Sequence, residues 1–281
     1  MKNVVVDKIA SVAQHNHLGS ELRLSKDIPC EEGVLVAAKV LNSKSRYNQL
    51  ELTSGRMATV NQGDVIVGAL GHRKALRGYS GHLPKTLKPG DKIQILNIGG
   101  VLGICDSANP DVGAPFNCEV LGTVLSFPYL GERIGVPARA GANTLDADPS
   151  IDTAGVPVIA LAGTCMDSGK TAAACAIVSR LRHLGMHVAA CKATGVSLRR
   201  DVLAMEDAGA TDTMIFSDFG IVTTTAENGR QLTRALLTGL AEKSPDVIVL
   251  ELGDGLLGAY GVGAILSDAD IRAALTAVVL C

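Results

Sequence analysis

The sequence predicts two domains of different class: a small all-β, barrel-like domain, then an α/β domain on a doubly wound, mainly parallel sheet. Three observations predict this. Short β-branched runs punctuated by Gly-Asp turns occupy the first half, and apolar strand-like runs alternate with helical patterns in the second. Where that alternation begins, an apolar run enters a loop with Gly at both ends, and Lys-Thr then opens an alanine-rich helical pattern. At 281 residues the chain is long enough for each domain to bury its own core.

The first domain is expected over 1–130. Strand-like runs lie at 34–41, 49–52, 64–68 and 91–96, and turns such as Gln62-Gly63-Asp64 and Pro89-Gly90-Asp91 separate them. Their spacing suits a small barrel or sandwich. Residues 71–82 are Gly-rich and carry His72, Arg73, Lys74, Arg77 and His82. Such a loop can reach an anionic substrate, which makes Arg73 and Arg77 candidate substrate contacts; a solvated basic loop is the plainer alternative. His15 and His17 form a His-x-His that, in an extended segment, can meet a metal, although no third ligand accompanies them.

Residues 131–155 turn to Gly, Pro, Ala, Asp and Thr without periodicity and read as a linker. From 156 to 281 the elements alternate: strand 158–162, helix 169–184 closed by Gly185, strand 187–191, helix 200–208, strand 213–216, helix 226–243, strand 247–252 and helix 268–275. The run at 277–281 reads as the start of a buried strand, so the domain is expected to continue beyond it.

Composition narrows the partners. A net charge of −2, no Trp and 3% aromatic residues leave neither a basic footprint nor stacking platforms, so nucleic acid is not expected. The apolar run within residues 1–8 is too short for a signal peptide, and no stretch approaches the ~20 apolar residues of a membrane span. A cytoplasmic location without membrane contact follows as an expectation. The seven Cys form no Cys-x-x-Cys pair and read as small, reduced, mostly buried side chains. Cys165 differs, because it sits in the loop that leads into a helix.

The loop itself is Gly163-Thr164-Cys165-Met166-Asp167-Ser168-Gly169-Lys170-Thr171. Backbone N–H groups of such a loop and of the helix behind it converge on an anion. Lys170 adds a charge near the β/γ-phosphates, and the Thr171 hydroxyl suits Mg²⁺. A nucleoside triphosphate site is therefore expected. Between Gly163 and Gly169 lie five residues, where the common phosphate loop has four before its Gly-Lys.

With that spacing the loop resembles the phosphate loop of the dethiobiotin synthetase family, Gly-Thr-Asp-Thr-x-x-Gly-Lys-Thr, a form shared by cobyrinate and cobyrate synthases. Three further segments match in order. Cys191-Lys192-Ala193-Thr194-Gly195 resembles the family's Lys-Pro-Val-x-Ser/Thr-Gly, although it is shorter and lacks Pro. Arg200-Asp201-Val202-Leu203-Ala204 is similar to Ser-Asp-Ala-Leu-Ala, and the strand ending Glu251-Leu252-Gly253-Asp254-Gly255 to one ending Glu-Gly-x-Gly-Gly. Cys165 and Met166 stand where the family has Asp and Thr.

The resemblance implies a P-loop NTPase-type fold and a Mg²⁺-dependent synthetase or ligase using ATP, with GTP as the alternative nucleotide. A small carboxylate or carbamate would attack the γ-phosphate, and an amine would capture the acyl phosphate. Lys170 and Lys192 would be the catalytic cations, Thr171, Asp201 and Glu251 the Mg²⁺ ligands, and Thr194 and Gly195 substrate contacts. The partners expected are nucleotide and a small anionic substrate, with a homodimer as a compatible assembly. Two other readings stand beside this. One is an accessory protein for metal or cofactor insertion, since Ala208-Gly209-Ala210 is similar to a segment of GTP-binding molybdopterin-guanine dinucleotide accessory proteins. The other is a non-catalytic nucleotide-sensing module.

Overall fold

The computed structural model describes residues 1–75, 78–129, 131–146 and 149–281. It forms two compact units. The first comprises Met1–Ala142 with Val196–Leu198 and Gly220–Val222, and the second Asn143–Gly195, Arg199–Phe219 and Thr223–Cys281.

The first unit is built of strands β1 (Lys2–Val5), β2 (Lys8–Ile9), β3 (Glu21–Ser25), β4 (Leu35–Val40), β5 (Gln49–Glu51), β6 (Met57–Thr59), β7 (Val65–Leu70), β8 (Tyr79–His82), β9 (Lys92–Ile95), β10 (Val101–Ala108), β11 (Asn117–Ser126) and β12 (Val136–Pro137). β11 pairs antiparallel with β4, β4 with β7, β7 in parallel with β10, β10 antiparallel with β9, and β9 with β11 again. These pairings close a circuit of five strands, while β1 and β8 lie outside it at the ends of the sheet. Leu35, Val36, Ala37 and Ala38 of β4 face Ile66, Val67 and Ala69 of β7 across this ladder, all without solvent exposure.

The runs expected at 34–41, 49–52, 64–68 and 91–96 lie on β4, β5, β7 and β9. β11 is not among them. Its apolar alternation is interrupted at Gly122, where the register against β4 shifts and a Cβ would collide with the Ser25 carbonyl. A bulge of this kind breaks the period that announces a strand. Within the stretch read as a linker, β12 pairs with β11. His15 lies in a short 3₁₀ helix, Ser11–Asn16, and His17 follows in a left-handed turn (φ 47°), so the His-x-His is not extended. With Gln14, Leu18, Thr53 and Ser54 the two imidazoles line an open cavity of about 410 Å³.

The second unit holds β13 (Val158–Ala162), β14 (Val188–Lys192), β15 (Asp212–Ile215), β16 (Val247–Glu251) and β17 (Leu275–Leu280), ordered β15-β14-β16-β13-β17 with every pairing parallel. Between them run helices α1 (Lys170–His183), α2 (Arg200–Asp207), α3 (Gly229–Ala241), α4 (Val262–Ser267) and α5 (Ala269–Ala274). β14 and β16 are buried at every residue, as expected of parallel strands covered on both faces. α3 buries Leu232, Leu236, Leu237 and Leu240, one stripe at helical spacing. Ahead of it, Thr225 Oγ1 accepts from Glu227 N–H (3.2 Å) while Asn228 Oδ1 accepts from Thr225 N–H (2.8 Å). This reciprocal cap turns the chain one turn before the regular helix begins.

β17 pairs with β13, and Val278 and Leu280 are 52% and 67% exposed in the chain as given.

α5 is anchored by Asp268, whose Oδ1 accepts from the N–H groups of Asp270 (3.1 Å) and Ile271 (3.0 Å) while Arg234 of α3 donates to both its oxygens. Burial alone would raise its pKa; these donors outweigh that and hold it below the ordinary aspartate value. A depressed carboxyl pKa stabilises the fold above the unfolded value of about 3.9 and loses that effect as pH falls through the folded one. Asp268→Ala is expected to cost about 1–2 kcal/mol at pH 7, with the difference shrinking below about pH 4. Denaturant midpoints of both proteins across that range check it.

Candidate functional site

The candidate site lies at the carboxyl ends of β13, β14 and β16, all within the second unit. Register brings it together. β16 runs between β13 and β14, and its last residue, Glu251, pairs with Leu161 on one side and Lys192 on the other. Two residues past Leu161 the chain enters the 163–171 loop. A parallel sheet thus delivers the loop, a lysine and a carboxylate to one level.

Gly163 must be glycine, because a Cβ there would meet Ser168 Oγ, the Cys281 carbonyl and Lys170 Cδ. Gly169 closes the loop at φ 96° and caps α1, a conformation that disfavours any side chain. Inside the loop Lys170 is buried, and its ammonium donates to the Cys165 carbonyl (2.8 Å) and Ser168 Oγ (3.2 Å). Thr164, Cys165, Asp167 and Gly169 are exposed, whereas Met166 and Ser168 are partly covered. α1 begins at Lys170, so the loop leads directly into a helix N-terminus.

Around Glu251 the polar groups converge. Thr171 Oγ1 donates to Glu251 Oε1 (3.1 Å), and Lys192 Nζ lies 4.0 Å from the same oxygen. Asp201, in the first turn of α2, forms an ion pair with Lys192. An aspartate at a helix start is commonly an N-cap; here the N-cap position is Arg199, which leaves the Asp201 carboxylate turned to the lysine. Burial is the largest influence on Lys192 and would lower its pKa, but Asp201 and Glu251 outweigh it and hold the ammonium above the ordinary value. Glu251 is pushed upward by burial, against Lys192. Among the described residues its second oxygen, Oε2, is buried without a hydrogen-bond partner.

That orphaned oxygen is informative. A buried carboxylate oxygen with no partner is unfavourable, and natural structures leave few such atoms. Its neighbours, a threonine hydroxyl and a second carboxylate, are the hard oxygen donors that Mg²⁺ takes when phosphate and water complete the shell. The residues present therefore fit Mg²⁺. Among the described residues no three His, Cys, Asp or Glu side chains are placed to hold a metal by themselves.

Other residues singled out from the sequence are engaged differently. Thr194 is fully buried, and its hydroxyl donates to the Gly253 carbonyl (2.8 Å); the Gly195 N–H donates to Thr224 Oγ1 (2.8 Å). Both brace the backbone around the site. Arg73 belongs to the first unit and is buried there, donating to Tyr47 Oη (2.8 Å) and the Leu96 carbonyl. The expected mobile basic loop gives way, in that part, to an arginine inside the unit. Arg77 lies outside the described residues. His82 is on β8 beside Asp106 (2.8 Å). Cys165 is exposed, and Cys118 and Cys191 are buried. Asp254 is a residue the sequence reading passed over. It is half-buried within electrostatic reach of Lys170 and Lys192, and its signal is a lone carboxylate between two glycines just after an apolar strand.

No protein-family model matches the chain, and no curated protein matches it. Solved structures with some likeness include the signal recognition particle receptor FtsY from Elizabethkingia anophelis, at 14% identity and a TM-score of 0.36 over 48% of this chain and 44% of that one. Another is the signal recognition particle 54 kDa protein from Aeropyrum pernix K1 in complex with GDP, at 19% identity and a TM-score of 0.34 over 48% and 31%. The same FtsY in complex with GDP aligns at 14% identity and a TM-score of 0.32 over 50% and 42%. This chain spans less than half the length of each. Likeness at these scores assigns no residue a role.

Removing one partner of a buried ion pair leaves an uncompensated charge. Asp201→Ala is expected to destabilise the ligand-free protein by about 3 kcal/mol, read as a lower urea midpoint. Glu251→Gln, which replaces a desolvated and half-partnered carboxylate with a neutral amide, is expected to stabilise the ligand-free protein by about 1 kcal/mol, read as a higher urea midpoint.

Proposed function

We propose that the second unit binds a Mg²⁺–nucleoside triphosphate, ATP or GTP, at the 163–171 loop and transfers its γ-phosphoryl group to a small acceptor. The observation that carries this reading is the convergence on Glu251. A phosphate-loop-type turn, its lysine and threonine, a second lysine and two carboxylates meet at the ends of three adjacent parallel strands, with one buried carboxylate oxygen unpartnered.

Each residue then has a task. The loop amides and the α1 N-terminus hold the phosphate chain. Lys170, whose present partners are a carbonyl and a hydroxyl, exchanges neutral acceptors for phosphate oxygens. Lys192 is kept charged by Asp201 and Glu251 and balances negative charge developing on the transferring group. Thr171, Glu251 and Asp201 are the groups that would hold Mg²⁺, which neutralises phosphate charge when bound. Positioning and electrostatics, rather than a covalent intermediate, supply the rate.

Titration calorimetry with ATP and with GTP, each with Mg²⁺, tests the reading. Wild-type protein is expected to bind one of them, and Lys170→Ala to weaken that binding by about 10- to 100-fold, the effect of losing a hydrogen bond to a charged group. A Lys170→Ala protein with wild-type affinity would refute it.

A further inference from the structure

The segment after Glu251 carries a carboxylate that the reading above leaves without a task. Gly253-Asp254-Gly255 is tied on both sides. The Thr194 hydroxyl donates to the Gly253 carbonyl (2.8 Å), and the Leu256 N–H donates to the Gly163 carbonyl (2.9 Å). Neither glycine has room for a side chain. A Cβ on Gly253 would meet the Thr194 carbonyl and Lys192 Cε (2.9 Å), and one on Gly255 would meet the Thr164 carbonyl and Cys165 Cα (3.0 Å). Of the three positions Asp254 alone presents a functional group; the segment runs from beside Lys192 to the 163–171 loop, and the carboxylate lies over Gly258, within electrostatic reach of Lys170 and Lys192.

Its backbone is strained for that purpose, at φ 67° in the left-handed region, and a non-glycine residue held there points to a functional constraint. The carboxylate accepts a hydrogen bond from the Gly255 backbone, which leaves its charge without a lysine of its own. Lys170 and Lys192 both influence it, yet Lys170 is bonded within its loop and Lys192 is paired with Asp201. Among the described residues Asp254 forms no ion pair with either. Partial burial, opposed by Lys170, raises its pKa above the ordinary aspartate value, which favours proton uptake.

We infer that Asp254 accepts the proton of the nucleophile attacking the γ-phosphate, so that the acceptor is water rather than a carboxylate. This rests on the nucleotide reading above. In the step, the attacking oxygen bonds to the γ-phosphorus as the bond from that phosphorus to the β,γ-bridging oxygen breaks, its electron pair leaving with the nucleoside diphosphate. The proton of the attacking water passes to Asp254 and from there to solvent. A carboxylate nucleophile carries no such proton, and it would meet a like charge at Asp254.

The test measures Mg²⁺-nucleotide affinity and release of inorganic phosphate, with water as acceptor, for wild type, D254N and D254G. Asparagine and glycine both tolerate the left-handed backbone, and matched melting temperatures confirm folding. The expected result is unchanged affinity within about 3-fold, turnover lower by about 100-fold or more, and recovery of D254G turnover by added formate. Turnover within about 3-fold of wild type in D254N overturns the inference and leaves the nucleotide reading standing. So does binding without hydrolysis in the wild type, loss of affinity in both variants, or a defect erased by excess Mg²⁺, the mark of a metal ligand. A wild type that binds neither ATP nor GTP removes the underlying reading itself.

Discussion

Glu251 is the side chain on which the second unit's design turns. A strand of Val, Ile, Val and Leu, fully buried, ends in a carboxylate that has almost no contact with solvent. Desolvation makes that charge unfavourable, and neighbouring elements supply what offsets it: a hydroxyl from α1, an ammonium from β14 and, through that ammonium, an aspartate from α2. The compensation is incomplete, since one oxygen has no partner among the described residues. A cluster that satisfied every atom would stabilise the fold and have little left to offer a cation.

The legible parts were those in which local chemistry and global fold ask for the same residues. β13 occupies the run expected of it, 158–162, because a five-residue apolar strand ahead of a glycine loop has few other uses. Lys192, Asp201 and Glu251 were picked out by the resemblance of three ordered segments to a known family; parallel register brings Lys192 beside Glu251, and an ion pair from α2 adds Asp201. Other positions were hidden for identifiable reasons. β11 is disguised by the bulge at Gly122. α4 is six residues long, too short to show a period. Arg73 looked like part of a solvated loop because sequence cannot reveal that Tyr47 and the Leu96 carbonyl await its guanidinium. Thr194 carried a hydroxyl at a suggestive place, and the fold uses it to hold the Gly253 carbonyl.

The two units meet the problem of strand edges differently. In the first, β9 bonds to both β10 and β11 and closes the circuit, so its inner strands need no guarding charges. In the second, the parallel sheet stays open, with β15 at one side and β17 at the other. Both units rest on pairings between distant parts of the chain: the barrel joins Val40 to Cys118, and the parallel sheet joins Val158 to Ile248 and Ala162 to Leu280.

The make-up of the first unit bears on how the chain matures. Val222 sits fully buried in its core, the Val222 carbonyl accepts from Ser197 N–H (2.8 Å), and Asn97 Nδ2 donates to the Ser197 carbonyl (2.9 Å). These pieces are synthesised after β13, α1, β14 and, for Val222, β15. A nascent chain that has emerged as far as Ala142 therefore holds a β structure still lacking an apolar plug. Completion of the amino-terminal half waits on translation of much of the carboxyl-terminal half, and a protease cut between them would not release two self-sufficient pieces.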